Sequence, residues 1–231
     1  MAAELTLHTV LDALSRIGCH TPHPVFAGGA RYVPPSAAAR VAAGTLDELA
    51  AAGLTRGERL TPEFEDVLHV LARPHTEYIA HTRSARAEHS ALVAARGRSV
   101  VVAVRCDTRV RLDTATAHLL PDLLVDTLPG WDEPEEFEPF TVPAQRLRDG
   151  DAQEAHVLHD LLSRPEHGIG YLRVARRPDG GERVSAEGVV CYLDLDIGRV
   201  GLHRAGEHIA VFPGSPSRLA SRVAALRATL D

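Results

Sequence analysis

Apolar side chains recur at helical spacing near the start of the chain. Over residues 4–17, Leu7, Val10, Leu11, Leu14 and Ile17 fall on one face, and Gly18 stands where a helix stops. Pro22, Pro24, Gly28, Gly29, Pro34 and Pro35 mark the next stretch as a loop. Ser36 then caps an Ala-rich helix that breaks at Gly44 and resumes from Thr45 to Ala52. A third helix opens at Thr61-Pro62-Glu63-Phe64. Thr61 is a good N-cap, Pro62 suits the first helical position, and Glu63 and Glu65 complement the positive end of the helix dipole. Phe64, Val67, Leu68 and Leu71 form its buried face, and Pro74 ends it.

From residue 76 the period changes to two. Short runs rich in β-formers at 76–83, 88–96, 98–105 and 108–113, with Gly97 and Asp107 at turns, predict a meander. Ser99–Val104 is almost continuously apolar and reads as a central strand, whereas 109–113 alternates and lies nearer an edge. Helical spacing returns over 115–126 through Leu119, Leu120, Leu123 and Leu124. Residues 127–139, TLPGWDEPEEFEP, carry three prolines and five acids and read as a linker pinned to the body by Trp131 and Phe137. A second half then follows the same plan. A helix is expected over 144–163, strands at 168–177, 183–194, 198–203 and 207–212, and a last helix over 216–230. Pro178-Asp179-Gly180-Gly181 is a strong hairpin signal, because glycine takes the positive φ of tight turns.

The halves align at an offset of 91 residues. Leu71-Ala72-Arg73-Pro74 resembles Leu162-Ser163-Arg164-Pro165, and Ala95-Arg96-Gly97 falls on Ala186-Glu187-Gly188. The expected fold is α+β: two helix–meander–helix halves (1–126 and 140–231, joined by the linker 127–139) forming one domain. Their meanders join into one antiparallel sheet covered on one face by helices.

Composition changes this picture only by exclusion. With 25 basic and 31 acidic residues among 231, the net charge of −6 disfavours nucleic acid as a partner. Cys19, Cys106 and Cys191 are odd in number and far apart, which fits a reducing compartment better than a disulfide framework. Glu4 and Asp12 interrupt the first apolar stretch, unlike a signal peptide, and no apolar run is long enough to span a membrane. A cytoplasmic protein is expected. No G-x-S-x-G elbow occurs, and Ser215 reads as a helix N-cap. Among 13 histidines, His156 and His159 lie three apart beside Asp160 without completing a metal-ligand spacing. Gly168-Ile169-Gly170 lacks the third glycine of a phosphate loop. Asp194 and Asp196 share strand parity and read as a solvated face. A broad sheet without an active site is a platform for binding another protein.

The helix ending in LARP (71–74), the meander ALVAARGRSVVVAV (91–104), the run GIGYLRVARRPDGG…VVCYLDLDIGRV and the closing helix SRLASRVAALRATL (217–230) resemble the EspG family of ESX (type VII) secretion-associated proteins of actinobacteria. Glu166-His167-Gly168-Ile169-Gly170 departs from the family's Gly-Ser-Gly-Gln-like texture there. The resemblance implies a cytoplasmic chaperone without cofactor, catalytic residue or metal. It implies quasi-two-fold symmetry and a central antiparallel sheet flanked by helical bundles. The implied partner is a PE–PPE heterodimer or similar helical secretion substrate, whose hydrophobic PPE tip the protein binds, acting as a monomer or weak homodimer. On that reading Ile169, Tyr171, Arg173, Tyr192, Asp194 and Asp196 in the second meander are the expected contact residues. The competing expectation is a small enzyme or metal-dependent ligand-binding protein using the His-rich C-terminal half.

Overall fold

The computed structural model describes residues 1–29, 33–84, 88–116, 119–145, 153–178 and 181–231. The Asp179-Gly180 step of the expected hairpin, the tip of the 83–88 turn and residues 146–152 of the helix expected over 144–163 lie outside these residues, while Ala144 and Gln145, expected to open that helix, form a turn.

The chain opens not with a helix but with strand β1 (Ala2–Thr6), and helix α1 (Leu7–Arg16) follows at once. Thr6 ends the strand and caps the helix: its hydroxyl accepts from Thr9 N–H. Helical periodicity had absorbed this strand because it carries a single fully buried apolar residue, Leu5. A one-turn 3-10 segment (Pro24–Phe26) precedes α2 (Pro35–Ala51), which runs through Gly44 unbroken. Glycine weakens a helix interior by about 1 kcal/mol, too little to interrupt one anchored by buried Thr45 and Leu49. A small hairpin, β2 (Thr55–Arg56) and β3 (Arg59–Leu60), leads into α3 (Pro62–Ala72), where Thr61 Oγ1 accepts from Phe64 N–H at 3.3 Å as its sequence signature implies.

The meander comprises β4 (Thr76–Ser84), β5 (Glu88–Arg96), β6 (Ser99–Cys106) and β7 (Arg109–Ala115), followed by the short helix α4 (Leu120–Val125). The second half contributes β8 (Phe140–Pro143), α5 (Gln153–Leu162), β9 (Gly168–Arg176), β10 (Val184–Ser185), β11 (Val190–Leu195), β12 (Gly198–Ala205), β13 (His208–Pro213) and α6 (Pro216–Ala228).

All strands except β2 and β3 join one antiparallel sheet in the order β1-β7-β6-β5-β4-β9-β11-β12-β13-β8, with β10 paired to β9. The order reads the same from either edge outward: an edge strand from before the helices, then a four-stranded meander, meeting at β4·β9. A pseudo-two-fold axis therefore crosses the sheet at that ladder.

Helices cover both faces, not one. On the first face, α1, α2, α3 and the 3-10 segment bury Leu5, Ile79, Leu92, Ala94, Val101, Ala103, Val110 and Leu112 of the first half. On the same face, α5 packs over Val142, Leu193, Leu195, Val200 and Val211 of the second. On the opposite face α4 and α6 pack against each other across the centre, over Tyr78, Ala80, Ala91, Val93, Leu172, Val174, Val190 and Tyr192. The earlier expectation failed because SVVVAV, apolar on both sides, already required two covering layers.

The repeat is real in space, but its offset is not constant. Pro74 and Pro165 do occupy equivalent places between helix and first meander strand. Gly97, at φ +61°, makes the tight β5–β6 turn, whereas Gly188 lies in the connection before β11; the equivalent turn is Asp196-Ile197. The longer β9–β11 excursion shifts the register of everything after it.

A candidate partner-binding face

The two helical layers of the first face stop short of its middle, leaving the β4·β9 ladder partly open. Three cross-strand pairs occupy it: Ile79 with Arg173, His81 with Tyr171, and Arg83 with Ile169. Directly opposed residues project to the same side. Ile79, His81 and Arg83 stand ninety residues before Ile169, Tyr171 and Arg173, so Ile-x-(His/Tyr)-x-Arg occurs twice, related by the pseudo-two-fold. Reading the repeat at ninety residues would have found the first-half members, which the 91-residue alignment hid.

Three hollows of about 300, 650 and 310 Å³ share His81 in their walls and form a trough. Its floor includes Ser90, Ile169 and Tyr171, and its sides include Pro24, Val25, Arg105 and Arg183. Tyr171, Arg83 and Arg173 are exposed, Ile169 and His81 half-buried, and Ile79 buried. His81 Nδ1 lies 3.0 Å from Ser90 Oγ. Burial lowers the pKa of His81, and the nearby His23, Arg173 and Arg105 lower it further, so it is neutral at pH 7.

Two internal contacts shape the trough's sides. Arg105 donates to the carbonyls of Val25 and Ala27 and holds the 3-10 segment beside β6. Glu77, almost fully buried on β4, accepts from Arg183 Nε at 2.7 Å and from His23 Nε2 at 3.2 Å. His23 Nδ1 accepts from Val25 N–H, which places the imidazole proton on Nε2. Burial pushes the Glu77 carboxyl up, but the hydrogen bonds from His23 and Arg183 outweigh it, so Glu77 is held below the usual carboxylate range.

The six expected contact residues divide. Ile169, Tyr171 and Arg173 lie together in the trough. Tyr192 and Asp194 point through the sheet to the opposite face and are buried, because strand parity alone did not reveal that β11 is displaced by one from β9. Tyr192 sits between Gly170 and Gly201 in one cross-strand row, and Gly201 in turn faces Phe212. A Cβ on Gly170 would lie 2.1 Å from the Tyr192 ring, and one on Gly201 would lie 2.3 Å from the Phe212 ring. Asp194, opposite Gly168, forms a bidentate pair with Arg199 at 2.7 and 3.1 Å, and Arg199 also stacks 4.0 Å over Tyr192. The Gly168-Ile169-Gly170 run is thus a packing device: its glycines make room for Asp194 and Tyr192 while Ile169 faces the trough. Burial pushes the Tyr192 phenol up to about 12, so it stays neutral. Asp196 is exposed in the β11–β12 turn and pairs with Arg164 at 2.9 Å.

The linker is pinned as its aromatic residues suggested. Trp131 Nε1 donates to Leu195 O at 3.0 Å and its ring stacks on His167, while Phe137 packs near Phe140. Backbone hydrogen bonding adds Glu135 N–H to Ile197 O at 2.9 Å. His156 and His159 are exposed on α5. Among the described residues no three His, Cys, Asp or Glu side chains are grouped to hold a metal ion, and no helix is long and apolar enough to cross a membrane.

These features define a pseudo-symmetric, helix-flanked α+β protein with an open central sheet face. The chain belongs to the EspG family, whose sequence profile matches residues 6–225. Its fold is similar to that of the Mycobacterium tuberculosis type VII secretion system chaperone EspG5, solved in complex with the PE25–PPE41 dimer. The TM-score is 0.74 at 15% identity, over 97% of this chain and 95% of that one. No curated protein matches the sequence.

Proposed function

We propose that the protein is a type VII secretion chaperone, without enzymatic activity, that binds the hydrophobic helical tip of the PPE subunit in a PE–PPE pair. It holds that tip in the central trough, keeps the pair in solution in the cytoplasm and presents it for export. The observation that carries this reading is the trough itself: a concave site at the sheet's centre, open where both helical layers stop. Membership of the EspG family supports the class of partner. An exposed apolar tip is an aggregation hazard, and covering about 1,200–2,000 Å² would mask it. Ile169 and Tyr171 supply apolar and aromatic anchors, Arg173 a polar edge, and Asp196 lies outside the trough.

Co-expression with the PE–PPE pairs of the same genome tests the reading. The expected result is one pair that elutes with the chain as a stable complex and precipitates without it. If every pair is equally soluble alone and none co-elutes, the reading is overturned.

A further inference from the structure

Among the described residues four arginines border the trough, and they are not equivalent. Arg105 is occupied by the carbonyls of Val25 and Ala27, and Arg183 by Glu77. Arg83 and Arg173 are exposed and make no ion pair among the described residues. They lie at opposite corners of the pseudo-two-fold pattern, two rows apart on either side of His81 and Tyr171 in total, roughly 13 Å along the strands.

Their surroundings differ in one respect. Glu88 stands directly across β5 from Arg83. The row through Arg173 continues into Ile79 and Leu92 and holds no acid. Glu77, buried on this face, already has two partners. Glu88 and Asp107 line the hollow at the Arg105 end, whereas the hollow walled by Arg173 and Arg183 has no acid in its lining, so a chain of net charge −6 keeps a local positive patch around Arg173.

An apolar tip laid over this patch would desolvate the Arg173 guanidinium without compensation, which is unfavourable. We infer that the helical tip seated in the trough carries acidic side chains, at least one of which pairs with Arg173, while the matching contact at Arg83 is weaker because Glu88 faces it. This rests on the function proposed above and adds the charge of the partner to it.

The test uses the full chain and the PE–PPE pair that co-purifies with it, with affinity measured calorimetrically at about 50 and about 300 mM salt. Wild-type affinity is expected to fall with salt. Arg173→Gln should weaken binding about tenfold and Arg173→Glu about a hundredfold, with Arg83→Glu closer to tenfold. Thermal midpoints should stay unchanged, since both side chains are exposed. An Asp or Glu of the tip changed to Arg should recover binding to Arg173→Glu. If the pair binds with an affinity indifferent to salt and to Arg173→Glu, the acidic-tip inference is overturned while the chaperone reading stands. If wild-type chain binds no pair, both fall together.

Discussion

Tyr171 and Tyr192 show how much depends on a single step along a strand. Both are tyrosines of the second meander, yet one faces the trough and the other is enclosed beneath α6. Tyr171→Ala is expected to change stability by no more than about 0.5 kcal/mol and to weaken partner binding by about 2 kcal/mol. Tyr192→Ala removes a buried ring packed over Gly170 and should cost about 3–5 kcal/mol of stability. Chemical denaturation of each single variant, beside a binding isotherm, separates the two roles; an unstable Tyr171→Ala or a fully stable Tyr192→Ala contradicts them. The sequence marked all six residues as one surface because alternation defines a strand's two sides but not which side a neighbouring strand shares. That information sits in the pairing register: Tyr192 opposes Gly170, not Tyr171. The glycines were the available clue, since a small residue in a strand interior signals a close neighbour.

Among elements, the Glu77 cluster ties together three segments distant in sequence: the turn at His23, strand β4, and the stretch at Arg183 after β9. Its pH behaviour follows from the lowered Glu77 pKa. The stabilisation is complete above the unfolded-state pKa of about 4.3, and it is lost as pH falls through the lower folded-state value. Glu77→Gln should remove that acid-side dependence and cost about 2–3 kcal/mol at neutral pH, less than a wholly buried pair because Arg183 is one-third exposed. Denaturation midpoints of both proteins from pH 3 to 7 check it; parallel curves would exclude Glu77 as the source. Most elements were legible from periodicity and punctuation: α3 from its cap and proline, β4 to β7 from alternation and turns, α6 from Ser215-Pro216. The edge strands β1 and β8 were not. An edge strand of four or five residues has one neighbour and few buried positions, so it leaves little imprint on the hydrophobic pattern.

At the scale of the whole molecule, the halves share more than a boundary. β4 is an inner strand only because β9 lies beside it, and α4 and α6 meet over the seam. We propose that the chain folds as one unit. Residues 1–126 or 140–231 alone are then expected to expose a long inner strand as an edge and to aggregate or self-pair, whereas the two co-expressed should reassemble. Size-exclusion chromatography and circular dichroism of the fragments decide the point: a monomeric, folded single half contradicts it.

The seam also orders events in time. Within each meander, apart from the β9–β11 excursion, pairing strands are joined by short turns, whereas the β4·β9 ladder unites residues roughly ninety positions apart. Closing so long a loop is slow, so the ladder is expected to form after each half has nucleated its own hairpins. The trough has no existence before that closure, because its two Ile-x-(His/Tyr)-x-Arg rows come from opposite sides of it. Competence to bind therefore arrives only once the two halves have joined, and a chain whose halves are still apart has no site with which to engage cargo.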